Sequence, residues 1–306
     1  MGRYIVRRIG QTLIVLVCVS LVAFFLIRLA PGNPAQLLLG DGATDEQIAA
    51  KEIELGLDKP LYVQYFKYIA GIFKGDLGTS TQYRMPVFDL IANRLPNTLR
   101  LALITVLFGL ALCIPLGIIA GSHRGTAIDF FAMFFALLGQ SMATIWIAVL
   151  NIYVFSVVLG WLPAIGTGSI AHYVLPVVTL GYPLAAETTR IGRSGMIDTL
   201  NEDFITATHA KGIRPLVVYW KYAFKNAVCP VITLVGMRLG SFLAGAIVVE
   251  SIYSWPGIGQ LLKTSVGNRD YQLVQSLLLL SAFLFAIVNL VVDIINSLID
   301  PRIVLE

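Results

Sequence analysis

The side chains that most often perform chemistry are few in this chain and lie far apart. The three histidines, His123, His172 and His209, fall in three different polar segments. No HExxH pattern and no cysteine–histidine cluster accompanies them, and the three cysteines lie in apolar stretches without metal-ligand spacing. We therefore expect neither a catalytic residue nor a metal site in this chain.

Nucleotide chemistry is also not expected, because the sequence contains no phosphate-binding loop of the GxxxxGK[ST] type. The chain should bind no ATP and no other cofactor itself. One charged side chain lies where a charge is energetically costly. Arg238 is about ten residues into an apolar run, near the middle of a predicted membrane span. Two interpretations stay open. Arg238 faces an interior pathway and meets a carboxylate of a ligand there, or it pairs with Glu187 or another acid.

Other polar residues in apolar runs are weaker candidates. Ser241 follows Arg238 on the same run, and Gln140 lies in another run, so both are candidates to line a pathway. Glu187 is three residues before Arg190, a spacing that favours a local ion pair on a helix. Glu250 is predicted at the outer end of its span, in contact with water.

The composition is that of a membrane protein. Of 306 residues, 57% are hydrophobic and 13% are charged, and the mean hydropathy is +0.79. Soluble domains carry about 25% charged residues. The net charge of +4 comes without a long basic cluster, so nucleic-acid binding is not expected.

Hydropathy predicts an all-α polytopic protein with six transmembrane helices. The third predicted span is longer than a membrane requires, so we expect it to be tilted or broken near Gln140. The first run is too long for the core of a signal peptide and is interpreted as a retained span. The predicted spans cover residues 9–27, 99–121, 130–159, 174–191, 228–249 and 273–298.

These spans divide the chain into four parts. Residues 1–30 form an N-terminal transmembrane helix, and residues 31–97 an extracytoplasmic helical segment. Residues 98–299 form a core of five helices that contains a cytoplasmic loop at 192–227, and residues 300–306 form a cytoplasmic tail.

The distribution of basic residues predicts that both termini are cytoplasmic, because short inner loops are enriched in lysine and arginine. With that orientation the short outer loops contain only Lys263 and Arg269. The inner segments contain Arg3, Arg7, Arg8, Arg124, Arg190, Arg193, Lys211, Arg214, Lys221, Lys225 and Arg302.

A polar segment at 201–230 carries the signals that begin and end a short helix. Asn201 can cap the first turn, and two acidic residues follow where the helix dipole favours them. Lys211 in the last turn and Gly212, which can adopt the left-handed conformation, favour an end there. Pro215 suits the first turn of the next segment. We therefore predict a helix of about ten residues below the membrane, shaped to be held by another protein.

Stretches along nearly the whole chain resemble the membrane subunits of binding-protein-dependent ABC importers, in the branch that imports peptides and nickel. The signature loop of that family reads Glu-Ala-Ala, three residues, then Gly. Here Thr206, Ala207 and Thr208 occupy the first three places and Gly212 the last, so Ala207 and Gly212 match. Pro230 lies farther from the glycine than the family's proline does. The other similar stretches are LGLDKPLYVQYFKYI, KGDLGTS, LGWLPAIG, VVESIYSWPGIGQLL, NRDY and NLVVDIINSLIDPR.

The resemblance implies a type I ABC importer permease fold in a bacterial plasma (inner) membrane. It also implies four partner chains: a second homologous permease, two ATPase subunits that bind ATP and magnesium, and an extracytoplasmic substrate-binding protein. The turn formed by Trp255, Pro256 and Gly257 would be a gate or a contact for the binding protein. Phe204 and Ile205 would anchor the loop in an ATPase groove. The implied ATPase-coupling residues are Phe204, Ile205, Thr206, Ala207, Thr208, Lys211 and Gly212.

The leading hypothesis is therefore an ATP-driven permease that moves di- or oligopeptides by alternating access. Nickel, another metal chelate and glutathione stay open as alternative cargoes within the family. An ion-coupled secondary transporter is the rival class, and it predicts inverted repeats and ionisable residues at the midplane. An intramembrane enzyme is a third class, and it predicts clustered catalytic residues that the sequence lacks.

Overall fold

The structure is a computed structural model that describes residues 2–29, 34–39, 42–55 and 58–299. Within these ranges the chain is helical and contains no β-strand, apart from an isolated bridge between Thr79 and Pro86. The predicted tail at 300–306 lies outside the described residues.

The described helices are numbered α1 to α13 in chain order. A π-helical segment, Ile152–Val158, continues α7, and another, Val218–Ala223, joins α10 to α11. The helices are α1 (Gly2–Leu29), α2 (Pro34–Leu39), α3 (Asp45–Leu55), α4 (Leu61–Phe73), α5 (Val87–Ser122), α6 (Ala127–Ser141), α7 (Thr144–Asn151), α8 (Ala171–Leu200), α9 (Asp203–Ala210), α10 (Pro215–Val217), α11 (Phe224–Ile252), α12 (Ile258–Gly267) and α13 (Tyr271–Ile299).

Among the described residues, two helices are long and apolar enough to cross a membrane: α5 and the part of α13 at Tyr271–Val292. A third is reached if α6 and Thr144–Val158 are counted together as one bent span. In α1 the apolar stretch is shorter, at Gly10–Phe25. Helices α8 and α11 carry the charged residues Glu187 and Arg238 at mid-length, which lowers their hydropathy. Length and composition thus support two or three of the six predicted spans.

The second predicted span is longer than expected. Helix α5 begins after Pro86, well before the predicted start at residue 99, and runs through Pro96 as one helix of 36 residues. A proline inside a helix costs a hydrogen bond and usually kinks it. Here the helix continues because its N-terminal end packs against α12 and α13, where Val87 and Ile91 share an apolar cluster with Leu273.

The centre of the fold is the contact between α5 and α8, which glycines make close. A Cβ at Gly121 would lie 2.5 Å from the Cβ of Met196, and one at Gly109 would lie 2.8 Å from a methyl carbon of Leu184. Small residues at these crossings let the two helix backbones approach closely. In a membrane, where the hydrophobic effect does not drive helices together, the resulting van der Waals packing does. Helix α11 packs on the same helix α8, α13 packs on α11, and α1 packs on α13.

The predicted extracytoplasmic segment contains helices α2, α3 and α4. Helix α3 begins with a capping box, in which the Gln47 amide donates to Thr44 Oγ1 and the Thr44 amide donates to Gln47 Oε1. Helix α4 contacts α1 through the rings of Phe24 and Tyr65, whose centroids are 5.3 Å apart. Burial raises the pKa of Tyr68 to about 12, because the charged phenolate is disfavoured away from water.

Candidate functional site: a coupling face, a mid-helix cavity and an outer clamp

Helix α9 occupies the polar segment in which a short helix was predicted. The prediction that Asn201 caps this helix was wrong. Asn201 instead ends the preceding helix α8, with φ −88° and ψ −2°, because α8 continues as far as Leu200. Glu202 takes the N-cap position without a side-chain hydrogen bond. The predicted end is confirmed, since Lys211 is the C-cap residue and Gly212 adopts φ +71°.

The two faces of α9 have opposite environments. Ile205 is 2% exposed and packs in an apolar cluster with Met196 and Val218. Ala207 lies two residues further on, about 200° around the helix axis, and is exposed. Phe204, beside that outer face, is 39% exposed. Ile205 therefore attaches α9 to its own chain and is not the anchor for a partner that was expected, whereas Phe204 and Ala207 are open.

The other predicted coupling residues are near the protein surface. Thr206 and Lys211 are exposed, and the half-buried Thr208 donates its hydroxyl to the Ile205 carbonyl at 2.7 Å. A Cβ at Gly212 would meet no heavy atom within 4 Å. We call the exposed set the coupling face; its members are Phe204, Thr206, Ala207, Lys211 and Gly212.

The segment after α9 joins the coupling face to a long helix. Pro215 begins α10, as predicted, and the chain then continues through the π-helical segment into α11 without a break. Val218 and Ala223 in this segment are fully buried and pack in the same cluster as Ile205. These buried side chains form a close-packed connection between α9 and α11.

An ion pair between α6 and α8, formed by Asp129 and Arg193, could not be expected from the sequence; we call it the inner clamp, after the side on which the sequence predicts it. Arg193 Nε and Nη2 donate to the two carboxylate oxygens of Asp129 at 2.5 and 2.7 Å. The Gly125 amide also donates to Asp129 Oδ2, at 3.0 Å. Asp129 is only 5% exposed. The basic-residue count noticed Arg193, but its acidic partner lies 64 positions away, and nothing in the local pattern of either residue indicates the pairing.

Replacing Asp129 with asparagine should destabilise the folded subunit. We expect a loss of about 1–3 kcal/mol, below the value for a fully buried pair because Arg193 is partly exposed. The measurement is the midpoint of thermal unfolding of the purified complex. Arg193→Lys, which keeps the charge but loses the two-pronged hydrogen bonding, should show a smaller decrease, and an unchanged midpoint in Asp129→Asn would contradict the role of the clamp.

A cavity of about 340 Å³ lies where the third predicted span is interrupted. The axes of Ala127–Ser141 and Thr144–Val158 differ by 104°, so the break expected near Gln140 is present. Tyr182 holds α6 against α8 by donating its hydroxyl to the Phe135 carbonyl at 2.7 Å. The walls come from α6, α7, α8, α11 and the break between α6 and α7: Gln140, Met142, Ala143, Thr144, Leu180, Pro183, Leu184, Glu187, Arg238 and Phe242.

An ion pair lies on one wall of this cavity, which we call the mid-helix cavity. Arg238 Nε and Nη2 donate to the two carboxylate oxygens of Glu187, both at 2.7 Å. The side chain of Arg238 is 49% exposed and that of Glu187 is 16% exposed. Arg238 thus both pairs with Glu187 and faces open space, and Glu187 pairs across two helices rather than locally with Arg190. Gln140 lines the same cavity, and the side chain of Ser241 lies outside the described part of the structure.

The turn predicted at Trp255, Pro256 and Gly257 joins α11 to α12. The Trp255 amide donates to the Glu250 carbonyl, and the Gly257 amide donates to the Trp255 carbonyl, both at 2.8 Å. Trp255 is 1% exposed and its ring centroid lies 4.6 Å from that of Tyr173. In this conformation the Trp255 side chain is therefore inside the fold and cannot contact a binding protein.

Glu250 was expected to face water, and it is instead fully buried. Thr98 Oγ1 donates to Glu250 Oε1 at 2.6 Å, and the Gln260 amide donates to Oε2 at 3.0 Å. Thr98 Oγ1 also accepts from the Ile258 amide at 2.8 Å. The expectation was wrong because α12 folds over the end of α11, and hydropathy along the chain cannot indicate that. Glu250, Thr98, Ile258 and Gln260 are called the outer clamp, after the side on which the sequence predicts this end of the span.

Asn97 extends this contact between α5 and the turn. Its side-chain nitrogen donates to the Pro256 carbonyl at 3.0 Å, and its own carbonyl accepts from Trp255 Nε1 at 3.3 Å. The sequence analysis missed Asn97 and Thr98; the available signal was two adjacent hydrogen-bonding residues at the start of an apolar run.

Two of the motifs that carry the family resemblance also meet at this end of the molecule. Asp270 of NRDY is fully buried and accepts from Ser80 Oγ of KGDLGTS at 2.5 Å. Asp270 further accepts from the Gln82 amide at 3.2 Å and from the Leu273 amide at 3.3 Å, so it caps α13. The residue before it, Arg269, has φ +55°. The segment before α5 is thus fastened to the start of the last helix.

Comparison with solved structures defines the fold. The chain aligns with a chain of the inward-facing MetNI methionine ABC transporter with a TM-score of 0.58 and 18% identity, over 69% of this chain and 96% of that chain. A second crystal form of that transporter gives a TM-score of 0.57 and 19% identity over the same shares of the two chains. The fold is therefore that of a type I ABC importer permease.

The chain belongs to the family described as binding-protein-dependent transport system inner membrane component, whose model matches residues 113–305. The model of that family's N-terminal part matches residues 1–102. The chain is 38% identical to the dipeptide transport system permease protein DppB of Alkalihalophilus pseudofirmus, over 98% of both chains. It is 38% identical to the glutathione transport system permease protein GsiC of Salmonella paratyphi A and 39% identical to GsiC of Escherichia coli K12, in each case over 99% of both chains.

The family defines this chain as an inner-membrane permease subunit of a binding-protein-dependent ABC importer. It is a transport protein and not an enzyme. The ion-coupled transporter and the intramembrane enzyme are thereby set aside.

Proposed function

We propose that this permease subunit moves short peptides into the cytoplasm, driven by ATP hydrolysis in partner subunits. The observation that carries the proposal is full-length similarity to a dipeptide permease, together with a cavity that displays one positive and one negative side chain. Glutathione is the second candidate because other relatives bear its name. Glutathione is itself a tripeptide, so both candidates make similar demands on a pathway. No relative considered above is named for nickel.

The membrane arrangement that fits this function has six spans and cytoplasmic termini. Under this arrangement α1, α5, α6 with α7, α8, α11 and α13 cross the membrane, and residues 31–97 lie outside. The excess of basic residues in the inner segments supports this orientation. In this orientation the coupling face and the inner clamp lie on the cytoplasmic side, and the outer clamp lies on the opposite side. The domain limits given by the sequence are kept in this proposal.

We further propose that one of two ATPase subunits, each binding ATP and magnesium, contacts the coupling face. The exposure of Phe204 and Ala207 and the open left-handed Gly212 support this contact. The buried segment between α9 and α11 would carry the motion of the ATPase to Arg238, because both lie on one continuous helical stretch. A second homologous permease would complete the pathway.

Alternating access needs a gate at the outer end of the pathway. The turn at Trp255, Pro256 and Gly257 is the candidate, since the outer clamp and Asn97 hold it against α5. Opening would separate α12 from α5 and expose the mid-helix cavity to an extracytoplasmic binding protein. Gln140 and Arg238 would then meet the cargo, with Ser241 as a further candidate on α11.

Reconstitution tests this function. The complex of both permeases and the ATPases, placed in proteoliposomes with its binding protein, should take up labelled dipeptide only when ATP and the binding protein are both present. Competition by unlabelled dipeptide, oligopeptide, glutathione and a nickel chelate ranks the cargoes. Uptake that continues without ATP, or that responds to none of the four competitors, would contradict the proposal.

A further inference from the structure

The mid-helix cavity contains an ion pair whose position is unlike that of the other ion pair described in the structure. Asp129 and Arg193 are held between two helices, and the Asp129 side chain is 7% exposed. Arg238 is 49% exposed at its side chain and opens onto the cavity together with Glu187. An ion pair with one partner this exposed adds little to stability, although charge in an apolar span is costly. Stability therefore does not explain the exposed pair, and binding of a ligand is the alternative.

We propose that Glu187 and Arg238 form a binding site for the two charged ends of an unblocked peptide. Glu187 accepts hydrogen bonds from the α-ammonium group, and Arg238 donates to the α-carboxylate. This inference rests on the proposed function, since it names the chemical class of cargo that the permease recognises: a zwitterionic short peptide.

Both side chains have hydrogen-bonding capacity left for such a ligand. A guanidinium group has five N–H donors and a carboxylate has about four acceptor positions. The pair uses two of each, from Nε and Nη2 to the two oxygens of Glu187. A ligand carboxylate can bind the unused N–H groups of Arg238 while an ammonium group binds the unused lone pairs of Glu187. The resting ion pair keeps both charges paired when no cargo is present.

The size and walls of the cavity fit a short peptide. Its volume of about 340 Å³ is at the lower end of small-molecule sites, and two extended residues span at most about 7 Å. Leu180, Leu184 and Phe242 provide apolar walls that do not select a particular side chain. Gln140 provides an amide that can bond a peptide group. Selection by the ends with tolerance of the side chains suits a peptide permease.

The position along the helices suits a pathway. Arg238 is close to the middle of α11, which spans 29 residues, and Glu187 is close to the middle of α8, which spans 30. The interruption at Met142 and Ala143 brings backbone into the same cavity. A broken helix beside charged groups at mid-membrane is an arrangement that binds solutes during transport.

The experiment measures equilibrium binding of a labelled dipeptide to the complete permease–ATPase complex in nanodiscs, without the binding protein. Competitors are the same dipeptide with free ends, with an acetylated amino end and with an amidated carboxyl end. In the wild type each blocked peptide should bind about tenfold more weakly, as expected when one charge-assisted hydrogen bond is lost. Glu187→Gln should remove the preference against acetylation, and Arg238→Gln the preference against amidation.

Matched variants separate binding from folding. Asp129→Asn disturbs the other ion pair, outside the cavity, and should leave the ratios between the three peptides as in the wild type. If a single variant fails to assemble, the exchange Glu187→Arg with Arg238→Glu keeps an ion pair, and it should retain the preference for free ends.

The possible failures are distinguishable. Equal binding of free and blocked peptides by the wild type, no saturable binding, or unchanged ratios in both cavity variants would overturn the site, even if ATP-driven peptide uptake is observed. Absence of peptide uptake by the wild-type complex would instead reject the proposed function itself.

Discussion

Ala207→Trp is expected to abolish ATP-driven uptake, with a loss of at least about 100-fold, while the subunit still folds and inserts. Ala207 lies on the face of α9 opposite the buried Ile205, so a large side chain there meets the partner and not its own chain. A 100-fold loss corresponds to about 2.7 kcal/mol, within the range found when a central interface residue is changed. Uptake and ATP hydrolysis are measured on the reconstituted complex.

Gly212→Asp tests the same contact by a different route. A Cβ at Gly212 would meet nothing within 4 Å, and aspartate tolerates positive φ better than most residues. Folding should therefore survive while ATP hydrolysis becomes uncoupled from uptake.

Ala127→Trp is the matched control for Ala207→Trp, since it makes the same substitution at an exposed alanine in another predicted inner loop. Normal uptake in both α9 variants would remove the coupling assignment.

Glu250→Ala is expected to have the second largest effect, a loss of about 2–4 kcal/mol in stability together with strongly reduced uptake. The substitution leaves the Gln260 amide and the Thr98 hydroxyl without their buried acceptor, and each unsatisfied group costs about 1–3 kcal/mol. It also removes one of the contacts that hold the turn at Trp255 against α5, where the hydrogen bonds of Asn97 remain. The midpoint of thermal unfolding of the complex and its rate of uptake are the two measurements.

A double-mutant cycle with Gly257 checks the geometry of this clamp. A Cβ at Gly257 would overlap the Glu250 carboxylate, which supplies the three nearest atoms at that position. Gly257→Ala should thus be severe in the wild type and nearly neutral in the Glu250→Ala background, where the space has been vacated. If the two effects are simply additive, the clamp does not have the packing described.

Several features could be predicted from sequence because their causes are local. The capping box at Thr44, the end of α9 at Gly212 and the start of α10 at Pro215 each depend on residues within one turn of the helix. The same is true of the turn at Trp255. The interruption near Gln140 was expected because the apolar run exceeded the length that a membrane needs. The family resemblance came from short motifs of the same local kind.

The pairing of charges depended on tertiary structure. Glu187 has a local candidate in Arg190, yet it pairs with Arg238, which lies 51 positions away. Asp129 finds Arg193 across 64 positions, and Glu250 finds Thr98 across 152. A one-dimensional pattern gives the depth of a residue in its own helix but not which helix packs beside it.

The sequence by itself determined that this chain is a helical membrane protein with a short helix that ends near Gly212, because composition, apolar length and cap residues act over short distances, and its motifs carried the resemblance to ABC importer permeases. Tertiary structure alone decided that Ile205 and Trp255 turn inward, that α12 buries Glu250, and that Arg238 and Glu187 face one cavity. These outcomes follow from the packing of α5, α8, α11 and α12, whose contacts join residues far apart in the chain.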